Sequence, residues 1–462
     1  MKAWEREREI IQNSIPCYNA DDNELIWEQQ QSGPEEAEDA LLRLHWHSQV
    51  PGSRAHESIC TAAVQAMENR GYIVEGSEEL LERGYELLQK DDIVALHGLT
   101  FDLLNRVYNA QKDESSPYWQ QKFYDSFEQL AEAVKFPAKV EVVMDEDFVA
   151  KQYAGWLSQI IGGAYGTCIE GYTAKNIYAK YGVVDRYIRK PNTYNDDITY
   201  ELALLLAYRD FGKKTTAEDI AREWIKRIPS GWSAEEWALR NLNVGIMPPL
   251  SGTFNNPFNE WIGAQMRGVI LGQLYPGDVY MAAKAAFEDA SISHARNGIL
   301  GEVFNACMAS MAFYLDDTRE ILKRAIELMP ADSEYGQVVR FALKACMEND
   351  NYLDAWMLCE KRYERYNWIH AYPNACAEVI AMWFGDNDFD KTISICGGCG
   401  QDVDCNAAQV MTIVGIIKGV DNIREYWYAP FGDVLDTYCR GLKQISIKEL
   451  AEMTAEVARS LR

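Results

Sequence analysis

Positive charge and long apolar runs are both scarce in this chain, and each scarcity removes a class of function. Lysine and arginine total 45 against 70 aspartates and glutamates, a formal net charge of −25. A field of that sign repels phosphate backbones and anionic lipid, so neither nucleic acid nor a membrane surface is expected as a partner. No uninterrupted apolar stretch reaches the roughly 18 residues that cross a bilayer. The N-terminal MKAWEREREIIQNSIPCYNADDNE is charged throughout and lacks the basic flank and apolar core of a leader. The expectation is a soluble, cytoplasmic protein. Its 11 cysteines are an odd number, scattered through contexts such as FNACMASMAF and LKACMEN, where a thiol acts as a small hydrophobe in a reducing compartment. Strand signals are few, with KVEVVMD at 139–145 the best of them. Neither a repeat of solenoid period nor a low-complexity run beyond the short acidic PEEAEDA is present.

What the chain does have is helix. With 462 residues and 48% apolar content it can bury a large core. SEELLERGYELLQ, SFEQLAEAVKF, DDITYELALLLAYRDFG, TAEDIAREWIKRI, DTREILKRAIELM and SIKELAEMTAEVARSL carry helical periodicity, several opening on Ser, Thr or Asp with early acids. GAQMRGVILGQLY, GILGEVFNACMASMAFYL and NAAQVMTIVGIIKG are apolar or small on nearly every face, so they belong at the centre of an all-α domain. A change of composition near Val140 divides a helical N-terminal extension, 1–140, from a second domain, 141–462.

The stretch SICGGCGQDVDCNAAQ at 394–409 offers two chemistries. Cys396-Gly-Gly-Cys399 has the spacing of a zinc knuckle or redox pair, but zinc needs a second Cys/His pair and Cys405 supplies one sulfur, so the glycines are read as shaping a loop. Asp402 and Asp404 instead stand at the mouth of an apolar helix, as do Asp196 and Asp197 after Tyr194-Asn195. Two such pairs make an oxygen-rich cage for Mg²⁺ or Mn²⁺, although each pair alone also suits a helix dipole. In IIGGAYGTCIEGY, Gly162, Gly166 and Glu170 recur at i, i+4 and i+8, which predicts one helix face with two glycines and a carboxylate. Interior helix glycines mark close approach by another backbone or a ligand.

Together these segments resemble the ADP-ribosylglycohydrolase family, over roughly Asp145 to the C-terminus and in the family's order. GGAYGTCIEG is similar to its first glycine-rich helix, YNDDIT to its Thr-Asp-Asp-Thr motif and GQDVDCNAA to its Gly-Gly-Asp-Thr-Asp-Thr motif. NNPFNEWIGAQMRGVILGQLYPGD and DASISHARNGILGEVFNACMASMAF are similar to the Asn-Pro, Gly-Ala-x-x-Arg, Pro-Gly-Asp and Ser-His-x-x-Asn-Gly series of one branch. The resemblance implies an all-α, compact multi-helix orthogonal bundle and a dimagnesium hydrolase, with manganese as the alternative ion. It implies Asn195, Asp196, Asp197, Asp402, Asp404 and Cys405 as metal ligands, and Glu170, Asp197 and Asp402 as the carboxylates that manage protons. It further implies a substrate site of Asn256, a diphosphate-cradling loop of Gly263, Ala264 and Arg267, and cleft residues Tyr275 and His294. Cys405 and Asn195 depart from the family's threonines, Ile198 from a third, Gly163 from an acid and Ile262 from an asparagine.

The reaction so implied is hydrolysis of an N- or O-glycosidic bond to ribose, removing ADP-ribose from a modified protein or small molecule. Nucleoside or nucleotide ribosyl hydrolysis with the same metal site, and a non-catalytic crystallin-like role, are the alternatives. Taken alone, the buried Arg267 demands an anionic partner, which Glu260 could supply in place of a phosphate. His45, His47 and His56 read as surface or packing residues, and Trp46, Trp156, Trp232, Trp237 and Trp261 as core or interface, with Trp261 and Tyr275 able to stack on a base.

Overall fold

Helices form where the apolar spacing places them, and they stop at residues that cannot continue them. The computed structural model describes residues 1–16 and 27–462, so Cys17 and part of the extension lie outside the described residues. Twenty-three α-helices and eight short strands are found among the described residues, the strands joined only as four antiparallel pairs. The all-α expectation holds. Ser77–Gln89, Ala217–Arg227, Thr318–Glu327 and Ile447–Ser460 begin where the sequence signals place them, and Thr216 caps its helix reciprocally with Asp219.

Five helices are buried along most of their length: Glu146–Gly166, Asp196–Phe211, Asn297–Ala312, Ala371–Gly385 and Val403–Lys418. The first and last cross at backbone contact. A Cβ on Gly162 would land on the Ala407 carbonyl, and one on Gly166 on the Asp404 backbone nitrogen. These glycines therefore serve another backbone, the first of the two purposes their spacing allows.

Three sequence expectations are corrected. KVEVVMD is extended chain without a strand partner, because Val140 makes a single backbone hydrogen bond to the Gly277 carbonyl at 2.9 Å. GAQMRGVILGQLY is broken into a 3₁₀ turn at Gln265–Arg267 and a helix at Val269–Leu274, and at Gly268 between them a Cβ would meet the Glu302 carbonyl at 2.5 Å. Cys396 to Cys399 close the helix Phe389–Cys399 rather than a loop, and their glycines make room for the Tyr165 and Tyr352 hydroxyls. Both thiols are buried, and burial pushes them well above the usual thiol range, so they pack as hydrophobes.

The N-terminal helices share one continuous apolar core with the rest of the chain. Gly84 admits the ring of Trp46, whose indole N–H donates to Thr100 Oγ1 at 2.7 Å. Polar contacts seal the junction: Trp237 Nε1 donates to the Tyr108 hydroxyl at 2.7 Å and the Tyr118 hydroxyl to Glu260 at 2.9 Å. The exception is Ala3–Asn13, which buries no residue.

Gly166→Ala should destabilise the fold by about 3 kcal/mol, because overpacking against backbone cannot be relieved by a rotamer change. Gly98→Ala, on an exposed helix turn with open space around it, should stabilise it by about 0.5–1 kcal/mol. Urea denaturation of both variants checks the pair; equal effects would contradict the crossing.

Candidate active site

The crossing of the two glycine-packed helices decides where the acids go. Helix Glu146–Gly166 ends at Gly166, so Glu170 stands in the turn beyond it rather than on the predicted helix face. That turn is tied to the Asp402 loop: Gly171 N–H donates to the Gln401 carbonyl at 2.9 Å, and Tyr172 and Thr173 pair with Gln401 and Gly400. Gln401 holds a left-handed backbone at φ 68°. Asn374 fixes the next residue, its Oδ1 accepting the Asp402 N–H at 3.1 Å and the Asn406 amide at 2.8 Å. Nothing in the local sequence around Asn374 marks it for this role.

Asp402 is the N-cap of Val403–Lys418 and Asp404 lies in its first turn, while Asn195 caps Asp196–Phe211. Glu170, Asn195, Asp196, Asp402, Asp404 and Cys405 all line one cavity of about 480 Å³, within the range of small-molecule sites. Asp402, Asp404 and Cys405 can bring ligand atoms within 4.8 Å of one another. Asp402 Oδ1, Asp404 Oδ1 and Asp197 Oδ2 are buried without a hydrogen-bond partner. Buried carboxylate oxygens in that condition fit a cation of the hard, oxygen-seeking kind.

The electrostatics agree. Burial first, then the neighbouring charges of Asp404, Asp402 and Asp196, hold the Glu170 carboxyl well above the usual range. Asp196, accessible from the cavity yet crowded by its walls and by Asp404, is raised to about 6. Asp197 and Asp402 are pushed well up, again by burial first, and Asp404 is raised. Burial accounts for most of each shift, and like charges without a counter-charge add to it.

Two members of the implied ligand set are placed differently from expectation. Asn195 Oδ1 accepts the Ile198 N–H at 3.4 Å, and its amide nitrogen donates to Asp404 Oδ2, also at 3.4 Å. Cys405 is kept protonated by burial and donates its thiol hydrogen to Asp197 Oδ1 at 3.2 Å. Asp197 is fully buried and does not line the cavity. Both polar side chains thus orient aspartates, as the family's hydroxyl-bearing threonines could by donating from the same positions.

Of the implied substrate residues, only Gly263 lines the cavity. Ala264, Asn256, Arg267, Tyr275 and His294 do not. Asn256 spends its amide on the Ala234 and Ser293 carbonyls. Tyr275 borders a separate surface hollow with Lys139 and Lys213, and Trp261 packs on Phe258, so neither is placed to stack in this cavity. His294 is fully enclosed beside Ser293, held neutral by burial and by Arg267.

Arg267 has no free donor to offer a diphosphate. It is completely buried, with Nε on Asp289 at 2.6 Å, Nη1 on Glu235 at 3.0 Å and on the Gly263 carbonyl, Nη2 on Ser293, and Glu302 at 3.6 Å. Glu260, the structural partner suggested by sequence, instead binds Tyr118 and Asn297. The anionic partners are therefore three acids distant in sequence.

Residues without any sequence signal complete the cavity. The hairpin Ser48–Gln49 with His56–Glu57, together with Val50 and Pro51, forms one wall, and Trp232, Glu235, Trp368, Ile369 and Tyr438 line others. Glu57 accepts the Trp232 indole N–H at 2.7 Å and is nonetheless raised to about 7 by burial. Among the cavity-lining residues there is no lysine, arginine or histidine. His45, buried behind this wall, bonds Glu236 at 3.1 Å, and His47 stacks on His56 near the surface, as their packing reading anticipated.

Arg267→Met should destabilise the protein by about 3–5 kcal/mol, because it strands three acids without their cation. Guanidinium denaturation measures this; a variant of wild-type stability would mean the charge cluster is not held by Arg267.

The comparisons with known proteins address the same region. The ADP-ribosylglycohydrolase family model matches residues 144–460, well over half of the chain. A protein of Archaeoglobus fulgidus, itself uncharacterized, is 25% identical over 289 residues, covering 59% of this chain and 88% of its own. A solved ADP-ribosylglycohydrolase-related protein complex has a chain covered completely by 69% of this one, at 17% identity and a TM-score of 0.49. On the family match, with its carboxylate motifs gathered in one cavity, the chain belongs to the ADP-ribosylglycohydrolase family.

Proposed function

We propose that the chain hydrolyses a glycosidic bond at the anomeric carbon of an ADP-ribosyl group and that it does so with divalent cations held by Asp196, Asp402 and Asp404, with Asp197 behind them. The observation that carries this reading is the convergence of acids from two helix N-termini and one turn on a single cavity, with buried carboxylate oxygens left unpaired. Mg²⁺ or Mn²⁺, when bound, supplies Lewis acidity toward ribose hydroxyls and lowers the pKa of water.

The chain's own residues supply the rest. Glu170 sits at the cavity surface, where its carboxyl can release a proton to a leaving atom and recover one from water; without cations, burial and the neighbouring aspartates bias it toward the protonated form. Asn195 and Cys405 keep Asp404 and Asp197 in fixed orientations through single hydrogen bonds. Apolar side chains of Ile262, Met266, Trp368 and Ile369 exclude bulk water from the remaining walls, which strengthens every charge interaction inside. The absence of basic lining residues leaves bound cations as the positive charge that would meet a diphosphate. An ADP-ribosylated protein or small molecule is the substrate class so favoured.

Asp404→Asn should lower turnover of an ADP-ribosylated substrate by at least about 100-fold. It should leave the fold intact, since it removes one charge from a repulsive cluster. Turnover assays paired with circular dichroism test this, and unchanged turnover would defeat the proposed site.

A second prediction follows from the sign of the shifts. The folded cluster holds protons more tightly than the unfolded chain, so the stability of metal-free protein falls as pH rises from about 5 to about 7.5. Glu201, Glu302 and Glu378, also raised by burial, contribute the same slope without responding to cations. Saturating Mn²⁺ or Mg²⁺ should therefore raise Tm more at the higher pH, and Asp404→Asn should blunt that rise. Melting curves insensitive to cations at both pH values would count against the site.

A further inference from the structure

A diphosphate brings negative charge into the cleft, yet the cavity lining meets it with six carboxylates and no lysine, arginine or histidine. Arg267 cannot answer that charge, because its donors are spent on Asp289, Glu235, Ser293 and the Gly263 carbonyl. One arginine at the rim is differently placed.

Arg189 lies in the irregular segment between helix Ala174–Tyr181 and helix Asp196–Phe211, a segment that ends on Tyr194 and Asn195 in the cavity wall. Its guanidinium crosses to the loop of the N-terminal hairpin. Nη1 donates to the Gly52 carbonyl at 2.8 Å, and Nη2 stands 3.0 Å from the place a Gly52 Cβ would take. That same point is 2.6 Å from Thr167 Cγ2. Pro51 and Thr167 both line the cavity, so the guanidinium stands at its edge. It also reaches the Cys168 thiol, which burial raises, Arg189 draws down and Asp404 raises further. The arginine and the aspartate cluster thus act on one side chain.

A guanidinium has five N–H donors in a planar fork that matches phosphate oxygens. One carbonyl and one weakly accepting thiol are the partners of Arg189, and among the described residues no carboxylate stands within ion-pair distance of it. Arg186 in the same segment shows the contrast, held to Asp185 at 3.1 Å. Arg189 is therefore exposed, anchored and without a counter-charge in a chain of net charge −25. Anchoring lowers the entropy lost when such a side chain takes a ligand.

We propose that Arg189 binds the diphosphate of the ADP-ribosyl group at the edge of the cleft, with Nη1 on the Gly52 carbonyl and its remaining donors on phosphate oxygens. This rests on the ADP-ribosyl reading of the same cavity. Inside the lining, positive charge comes from bound cations; at the rim the chain supplies its own. Gly52 suits the anchor, since its φ of 107° and its closeness to Thr167 leave no room for a side chain.

The test is calorimetric titration of the full chain with ADP-ribose at saturating Mg²⁺, in about 0.05 M and about 1 M salt, which shortens the screening length from more than about 10 Å to about 3 Å. Arg189→Gln should weaken binding by about tenfold at the lower salt and by less than about threefold at the higher. Arg189→Lys, which keeps the charge and loses the fork, should fall between wild type and Arg189→Gln. A tether that only held the segment in place would cost the same affinity at both salt concentrations. Such an equal loss, unchanged binding in Arg189→Gln, or a wild type that binds no ADP-ribose would overturn the proposal. If Arg189→Gln does not fold, Arg189→Lys decides: severalfold weaker binding supports the site and unchanged binding overturns it. Hydrolysis of an ADP-ribosylated substrate, assayed in parallel, separates the two readings. The expected binding without hydrolysis removes the hydrolase reading alone, and hydrolysis with an ADP-ribose affinity indifferent to Arg189 removes the diphosphate site alone.

Discussion

Backbone contact between Glu146–Gly166 and Val403–Lys418 is the constraint on which the site depends. With glycine at 162 and 166, nothing but main chain lies between the helices at their crossing. The turn that follows the first helix can then pair directly with the residues that precede the second. Glu170 and Asp402 come to one cavity through that pairing, although neither lies in a long regular element that would hold it by itself. A single methyl group at either glycine would push apart segments whose relative position shapes the cavity.

A second constraint is charge. The region around the site contains far more buried acid than buried base, with Arg267 alone meeting Glu235, Asp289 and Glu302. Arg267 draws the Glu235 and Glu302 carboxyls downward, although burial still holds both above the usual range. It also keeps Gly263 in place through the carbonyl it binds, so its influence on the cavity passes through backbone rather than through contact with a ligand. Of the acids lining the cavity, Asp196, Asp402 and Asp404 meet no lysine or arginine, and the unpaired oxygens of Asp402 and Asp404 are of the kind that suits a hard cation.

The N-terminal helices and hairpin are part of this arrangement rather than an appendage. They share the core, seal the junction with buried tyrosine and tryptophan hydrogen bonds, and provide a wall of the cavity. The family match begins at residue 144, so this wall lies outside the matched segment.

By itself the sequence determined the all-α class, the starts of many helices, the close-packing glycines and the two acidic pairs, because each is written in neighbouring residues as a period, a cap or a doublet. The same local logic failed for KVEVVMD, where strand-like composition found no partner, and for GAQMRGVILGQLY, where close packing at Gly268 accompanies a break in an otherwise helical run. Only the tertiary structure decided that Arg267, Tyr275, His294 and Asn256 spend their polar groups or their surface away from the cavity, and that Asn374, Trp232, Ser48 and Glu57 serve it. The physical reason is range. A helix is set by contacts three or four residues apart, whereas a cavity is set by which distant side chains meet, and an arginine's partner or a carboxylate's exposure exists only once they have.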